Sequence, residues 1–242
     1  MIRIGTAGWT IPRRHAAHFP ADGSGLERYA ARFNAAEINS TFYRSHKPQT
    51  YARWLASVPQ NFRFSVKMPK TITHERRLVD VADLLDRFAE EIVALGPKLG
   101  PVLIQFPPSF AFDARLIRAF LRQVRKRIAG PVACEPRHPT WFAAGPEQLL
   151  KTNDVARVAA DPARVPEAAV PAGTASLAYF RLHGSPRMYY SEYDTASLRA
   201  LTAKLRASDA QETWCIFDNT VSGAAAGNAL TVQRQLATSV GD

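Results

Sequence analysis

Three stretches decide the fold: PVLIQF at residues 101–106, ARLIRAFLRQVRKRI at residues 114–128 and VACEPR at residues 132–137. The first and third are short, mostly apolar runs of the kind found in strands that are buried on both faces. The middle stretch repeats its apolar residues every three or four positions, as an amphipathic helix does. A strand, a helix and a second strand in this order predict a unit with two parallel strands.

The same alternation continues along the whole chain. The strand candidates are residues 3–7, 36–42, 63–68, 101–106, 132–137, 155–160, 177–182 and 213–217. The helix candidates are residues 26–33, 49–57, 79–95, 114–128, 145–151, 195–207 and 223–236. The sequence therefore predicts an α/β fold, a single TIM-type (β/α)8-like barrel of parallel strands that forms one domain over residues 1–242.

One helix of this barrel is predicted to be degenerate. Residues 162–173 follow the sixth strand candidate and contain Pro162, Pro166 and Pro171, so we expect an ordered loop there. An open, doubly wound sheet is the alternative fold. The first turn after a strand, GTAGW at residues 5–9, lacks the dinucleotide-binding glycine pattern, which counts against the commonest form of that alternative.

Composition narrows the class of protein. The chain has 242 residues, 46% of them hydrophobic, which excludes disorder as its main state. No apolar run approaches the ~20 residues that cross a bilayer, and the first residues resemble a strand more than a signal peptide. We expect a cytoplasmic protein without a membrane partner. The formal net charge of +10 favours an anionic small molecule or nucleic acid as partner.

Polar side chains gather at the carboxyl ends of the predicted strands. They are Glu37, Asn39, Lys67, His74, Gln105, Glu135, Arg137, His138, Asp161, Arg181, His183, Asp218 and Asn219. Several lie two residues apart, such as Arg181 and His183, and would share one face of a strand. A barrel would bring them together at the carboxyl ends of its strands, here called the mouth, where the catalytic residues of barrel enzymes lie. The structural alternative is a set of buried ion pairs that only plugs the barrel.

Several motifs together resemble a known family. They are GTAGW at 5–9, EINSTFY at 37–43, FRFSVK at 62–67, QFPP at 105–108, EPRH at 135–138 and RLHG at 181–184, with Tyr189 and Tyr193. In this order they resemble the DUF72 family, also called YecE-like, over essentially the whole chain. The resemblance implies a TIM-barrel-like fold and assigns no biochemical function. The sequence departs from the family pattern at Asp218, which precedes Asn219 where paired asparagines are common.

The basic residues of the mouth suggest a substrate with a phosphate or several negative charges. We expect Lys67, Arg137 and Arg181 to hold the anion, since convergent donors stabilise oxyanions and phosphates. The other predicted substrate-binding residues are Asn39, Tyr43, Tyr189 and Asn219. Glu37 or Glu135 would act as general acid or base and His183 as proton carrier, which makes a hydrolase or lyase the favoured function.

Two other functions stay open at this point. A non-catalytic nucleic-acid-binding protein would use the net charge for affinity. A metal-dependent, nuclease-like phosphodiesterase would need oxygen and imidazole ligands. The candidates are Glu37, Glu135, His138, Asp161 and Asp218. The sequence requires no cofactor, is compatible with a divalent metal, and leaves the oligomeric state open.

Overall fold

Strands and helices alternate in the computed structural model, which describes residues 1–238. The strands are β1 (Ile2–Thr6), β2 (Ala35–Ile38), β3 (Arg63–Lys67), β4 (Leu99–Gln105), β5 (Val132–Glu135), β6 (Val155–Arg157), β7 (Ala159–Asp161), β8 (Ala172–Gly173), β9 (Leu177–Leu182) and β10 (Glu212–Phe217). The α-helices are α1 (Gly25–Ala30), α2 (Pro48–Ala56), α3 (Ala82–Ile92), α4 (Ala114–Arg127), α5 (Ala144–Thr152), α6 (Thr195–Arg206) and α7 (Ala224–Ala237). Over residues 1–238 no helix combines the length and the apolar character that a membrane crossing needs.

The strands form two sheets where the sequence predicted one closed sheet. One sheet has the order β1-β10-β9-β7 and the other has the order β2-β3-β4-β5-β6-β8. Every pair of neighbouring strands is parallel except β6 and β8, which run antiparallel. The predicted α/β class with parallel strands is confirmed. The strand order does not confirm closure into the predicted barrel, and the antiparallel β8 is a correction.

The two sheets meet along two lines. An isolated parallel bridge joins Ala7 to Glu37, and the amide of Gly8 donates a hydrogen bond of 2.8 Å to the carbonyl oxygen of Glu37. At the other line, the chain passes directly from β6 to β7 through Val158, whose amide donates to the carbonyl oxygen of Cys134 at 2.8 Å. The predicted sixth strand is therefore broken in two, because its first half pairs with β5 and its second half with β9.

Two hydrophobic clusters lie on opposite faces of the strands. The larger cluster fills the space between the strands and the helices, and includes Leu85, Phe120 and Leu150. The smaller cluster combines residues of both sheets, among them Leu103 from one and Tyr179 and Trp214 from the other. The rings of Tyr179 and Trp214 are stacked with centroids 6.0 Å apart. Both sheets therefore enclose a common interior.

The second strand ends earlier than the sequence predicted. Strand β2 ends at Ile38, and the chain turns at once into a short 3-10 helix, Ser40–Phe42. Asn39 has helical backbone angles, so it does not share a strand face with Glu37. The hydroxyl of Thr41 donates to the carbonyl oxygen of Ile38 at 2.8 Å, which holds this turn in place.

The expected loop replaces the helix between β7 and β9. Only a short 3-10 turn, Pro166–Ala169, and the two residues of β8 lie in this segment. The missing helix leaves space beside the outer face of β9 next to α6, although every residue of β9 is buried. Two adjacent cavities of about 580 and 450 Å³ occupy this space, and both are lined by Phe180 and Lys204.

Gly5 permits the close approach of β1 to β2. A Cβ atom at this position would lie 2.1 Å from the carbonyl oxygen of Ala35, which is backbone and cannot move aside cheaply. We expect Gly5→Ala to lower the free energy of unfolding by about 1–3 kcal/mol, measured by urea denaturation. Gly145→Ala in α5 is the control, since nothing lies within 4 Å of its Cβ position. A parent-like midpoint for Gly5→Ala would contradict this account.

Candidate active site

A buried arginine lies at the centre of the predicted mouth. The guanidinium of Arg181, in β9, donates to both carboxylate oxygens of Glu37, in β2, at 2.9 and 2.6 Å. Both side chains are fully buried. The hydroxyl of Tyr179 adds a hydrogen bond of 3.0 Å to Glu37. Arg181 and Glu37 therefore form a buried ion pair, which is the structural alternative that the sequence also predicts.

Glu135 is the second carboxylate on Arg181. Its Oε2 accepts hydrogen bonds from Arg181 at 2.9 Å and from the side-chain amide of Gln105 at 3.0 Å. Its Oε1 accepts from Nε of Arg137 at 2.9 Å and lies 3.1 Å from Nε2 of His183. Burial alone would raise the pKa of Glu135, but the charges of Arg137, His183 and Arg181 outweigh burial and hold the pKa well below its usual range. Glu135 is therefore a carboxylate throughout the physiological range.

His183 lies between two carboxylates. Its Nδ1 is 3.0 Å from Oδ2 of Asp218, and its Nε2 faces Glu135. Burial lowers the pKa of His183, but Glu135 and Asp218 have the larger combined effect and raise it. Because a carboxylate oxygen faces each ring nitrogen, the arrangement favours the imidazolium form, in which both nitrogens donate. Asp218 also lies 3.2 Å from Arg181, which helps to keep the Asp218 pKa low despite burial.

Lys67 differs from the other cations of the mouth. It ends β3, is only 5% exposed, and its Nζ lies 4.0 Å from the centroid of the Phe42 ring. No carboxylate among residues 1–238 forms a salt bridge with it. Burial and the nearby Arg181 lower the pKa of Lys67 to about 8, although three surrounding carboxylates oppose the change.

His74 faces the same space as Lys67. It belongs to a single π-helical turn, Thr71–Glu75, and its ring contacts the Phe42 ring edge-on with centroids 4.9 Å apart. Burial, together with the charges of Lys67 and Arg137, lowers the pKa of His74 to about 4. His74 is therefore neutral at physiological pH. Single π-helical turns within a chain are frequent at functional sites.

Arg137 and Tyr189 form the outer edge of the site. Arg137 follows the end of β5, and its terminal nitrogens donate to the hydroxyl of Tyr189 at 3.3 Å. Tyr189 has a positive φ of 69°, which is rare for a residue with a side chain. A cavity of about 20 Å³ lies beside Glu135, Arg137 and His183, which is space for about one water molecule.

Some predicted substrate-binding residues lie outside this cluster. Tyr43 is 67% exposed and contacts only the edge of Phe42 among the aromatic rings described. Asn219 is buried and donates to Ser191 and Asn228, while its own Oδ1 has no hydrogen-bond partner within residues 1–238. Asn39 Oδ1 is likewise buried and has no partner in the described chain. Their roles in binding a substrate stay predictions.

The predicted metal ligands do not form one site. Asp161 accepts a hydrogen bond of 2.7 Å from Tyr193, and Nδ1 of His138 pairs with Thr140 at 2.9 Å. The remaining candidates are Glu37, Glu135 and Asp218, and Arg181 contacts all three. Over the part of the chain that the structure describes, no group of three or more His, Cys, Asp or Glu side chains has a geometry that could hold a metal ion.

The catalytic and binding roles assigned from the sequence omitted four residues of the cluster, although the sequence places Phe42, His74 and Gln105 at or after strand ends. Tyr179 precedes Arg181 by two positions on β9, so the same two-residue spacing that joined Arg181 to His183 would have found it. Gln105 ends β4 as Glu135 ends β5, and the two are register partners. Phe42 and His74 follow strand ends, but the pattern contains no signal that either faces Lys67.

A family-wide sequence profile, "Protein of unknown function DUF72", matches residues 3–241. The chain belongs to the DUF72 family. The UPF0759 protein YecE of Escherichia coli (strain K12) is 33% identical over 149 residues, which is 61% of this chain and 53% of YecE. The UPF0759 protein YunF of Bacillus subtilis (strain 168) is 30% identical over 153 residues, 59% of this chain and 53% of YunF. The matches span about half the length of these curated relatives.

Solved DUF72 structures share the fold over nearly the whole chain. A DUF72 family protein from Thermotoga maritima has a TM-score of 0.81 and 25% identity, covering 98% of this chain and 99% of that one. One from Enterococcus faecalis has a TM-score of 0.82 and 25% identity, covering 98% and 96%. The 3-keto-D-glucoside 4-epimerase YcjR from E. coli has a TM-score of 0.54 and 14% identity, covering 98% of this chain and 100% of that one. This similarity concerns the fold alone. The family resemblance found in the sequence is confirmed.

Replacing Arg181 tests how far the fold of this DUF72 protein depends on the central cluster. Arg181→Met leaves the buried carboxylates of Glu37 and Glu135 without their main partner, which costs about 3–5 kcal/mol of unfolding free energy. The measurement is the urea midpoint at neutral pH. Arg127→Met is the control, because it breaks a pair with the exposed Asp86 and costs at most about 1 kcal/mol. Equal losses in the two variants would contradict the assigned importance of Arg181.

Proposed function

We propose that this DUF72 protein is an enzyme, a hydrolase or lyase, that binds a small anionic substrate at the carboxyl ends of its strands. One observation carries the proposal. Lys67 is only 5% exposed, yet its ammonium group forms no salt bridge with any residue of the described chain. An anionic group of a substrate, such as a phosphate or a carboxylate, would offset this charge and accept hydrogen bonds from it.

The charge balance of the cluster supports an anionic ligand. The acidic members are Glu37, Glu135 and Asp218, and the basic members are Arg181, Arg137, His183 and Lys67. With His183 protonated, the cations exceed the carboxylates by one charge. A buried excess charge is costly unless it is paired. A bound anion would therefore be stabilised most where Lys67 and Arg137 are accessible.

The contacts favour different roles for the three predicted catalytic residues. Glu37 accepts hydrogen bonds from Arg181 and Tyr179 and is fully buried, which favours a positioning role over proton transfer. His183 carries a proton between two carboxylates and suits a general acid. Glu135 keeps His183 charged and orients Arg137. In this proposal, Arg137 and Tyr189 contact the substrate.

We also propose that the two sheets act as one (β/α)8-like barrel. The hydrogen bonds at Gly8 and Val158 support closure, as does the apolar interior that both sheets share. In such barrels the carboxyl ends of the strands form the active face. The metal-dependent nuclease has less support, because Asp161 and His138 are engaged elsewhere and Arg181 contacts the remaining carboxylates.

Isothermal titration with inorganic phosphate tests the anion site. We expect the parent protein to bind phosphate and Lys67→Met to bind it at least about tenfold more weakly, since a hydrogen bond to a charged group contributes about 1.5–3 kcal/mol. Lys126→Met is the matched control, because Lys126 is exposed on α4. An unchanged affinity in Lys67→Met, at an unchanged melting temperature, would refute the site.

Nucleic-acid binding is the second candidate, and one surface favours it. Helix α4 carries six basic residues and no acidic one. Four of them, Arg115, Arg118, Arg122 and Lys126, are exposed at intervals of three and four residues and form no salt bridge within residues 1–238. They therefore share one face of the helix, where phosphates of a nucleic-acid backbone could bind.

The salt dependence of DNA binding tests this second candidate. Fluorescence anisotropy with a labelled duplex should give an affinity that falls as salt rises. Arg118→Gln/Arg122→Gln should reduce the slope of log K against log salt by about 2, whereas Arg53→Gln/Arg199→Gln on other helices should leave it unchanged. Equal slopes in both double variants, or no binding at low salt, would refute it.

A further inference from the structure

We propose that Lys67 is a nucleophile that forms an imine with the carbonyl carbon of an anionic aldehyde or ketone, such as a 2-oxo acid. The inference rests on the proposed function, because it assigns a substrate class and a reaction to the same mouth. It narrows "hydrolase or lyase" to a lyase that works through a covalent lysine adduct.

The backbone around Lys67 is held firmly. Lys67 ends β3 in register with Leu103 of β4, and the hydroxyl of Thr41 donates to its carbonyl oxygen at 2.6 Å. The side chain then extends along the ring face of Phe42. A reactive amine needs this kind of fixed position, because a small misplacement of the reacting atoms lowers the rate steeply.

The surroundings of Lys67 favour a free amine. The nearby carboxylates of Glu37, Glu135 and Asp218 are engaged by Arg181, Arg137 or His183, so none pairs with the ammonium. Desolvation and a neighbouring guanidinium both disfavour the charged form of a lysine. The contact with the Phe42 ring favours the charged form and therefore limits the decrease in the pKa of Lys67. The resulting pKa of about 8 leaves a substantial fraction of free amine near neutral pH.

His74 contacts the same Phe42 ring as Lys67, and His183 belongs to the ion cluster of the mouth. The low pKa of His74 leaves it able to accept a proton, and the two carboxylates that face the ring nitrogens of His183 favour its protonated, proton-donating form. Groups whose environments move their pKa values apart are a general sign of an acid and base pair. Imine formation needs both functions: a base that removes the proton of the attacking amine, and an acid that protonates the departing oxygen.

The proposed reaction balances without a redox partner. The free amine of Lys67 attacks the carbonyl carbon, a C–N bond forms, and the carbonyl oxygen takes a proton. The C–O bond of this carbinolamine then breaks, water leaves, and a protonated imine remains. The imine accepts the electron pair of the C–C bond between its α and β carbons, and this bond breaks as the hydroxyl group on the β carbon loses its proton to a base. An aldehyde or ketone fragment is released and an enamine remains. Protonation of the carbon and hydrolysis of the imine return the free amine.

Reductive trapping tests this proposal. The protein is incubated with pyruvate or glyoxylate and sodium cyanoborohydride, which reduces an imine to a stable secondary amine, and modified peptides are mapped by mass spectrometry. We expect one adduct, on Lys67. At pH 8 it should form about a hundred times faster than on an ordinary lysine, whose pKa is near 10.4. The peptides that contain Lys126 and Lys151 are internal controls, since both lysines are exposed.

The pH dependence distinguishes a tuned lysine from a merely accessible one. A free amine is the reactive form, so the trapping rate should rise with pH through a midpoint near 8, the pKa of Lys67. A midpoint near that of an ordinary lysine would overturn the proposal. So would the absence of a Lys67 adduct with both oxo acids, or labelling spread evenly over the surface lysines.

Lys67→Arg separates this inference from the proposed function. Arginine keeps the positive charge and loses the nucleophilic amine, so phosphate binding should persist while trapping is lost. Phosphate binding by the parent without a Lys67 adduct would overturn the imine and leave the anion site standing. Both the anion site and the imine are supported if three results occur together. Lys67→Met loses phosphate binding, Lys67→Arg keeps it, and the parent protein forms the trapped adduct. Trapping and phosphate binding are also measured on the parent protein, so the imine proposal can be tested even if a variant misfolds.

Discussion

The guanidinium of Arg181 bonds to carboxylates that belong to both sheets. Arg181 is in β9 of one sheet, Glu37 and Glu135 are in β2 and β5 of the other, and Asp218 follows β10. These contacts cross an interior that is otherwise apolar, where removing a charge from water is expensive. Once the strands are assembled, each charged group is held by the others. The assembled sheets and the ion cluster therefore depend on each other.

This arrangement also determines which groups remain for chemistry. The carboxylates of Glu37 and Glu135 accept hydrogen bonds from Arg181, which fixes the positions of both side chains. Glu135 and Asp218 raise the pKa of His183 despite its burial. Among the cations of this cluster, Lys67 is buried and gains no carboxylate partner from residues 1–238. The cluster therefore pairs its carboxylates with Arg181, Arg137 and His183 and leaves the charge of Lys67 without a carboxylate partner.

Much of the fold could be predicted because burial on both faces imposes a recognisable pattern on parallel strands. The apolar runs at β4, β5, β9 and β10 and the helical period of α4 identify these elements within two residues of their observed ends. The early end of β2 and the break at Val158 were missed. Both depend on hydrogen bonds to other segments, from Thr41 to Lys67 and from Val158 to Cys134, which no local pattern records.

The sequence by itself determined the α/β class, the family and the group of ionisable residues at the strand ends, because each follows from residue type and local spacing. The tertiary structure alone decided how those residues are divided. It joined Glu37, Glu135, Arg181, His183 and Asp218 and left Asp161 and His138 in separate networks. It also brought His74 and Phe42 beside Lys67. The physical reason is that a pKa and an ion pair depend on burial and on distances between side chains from different strands, and these exist only after the strands have come together.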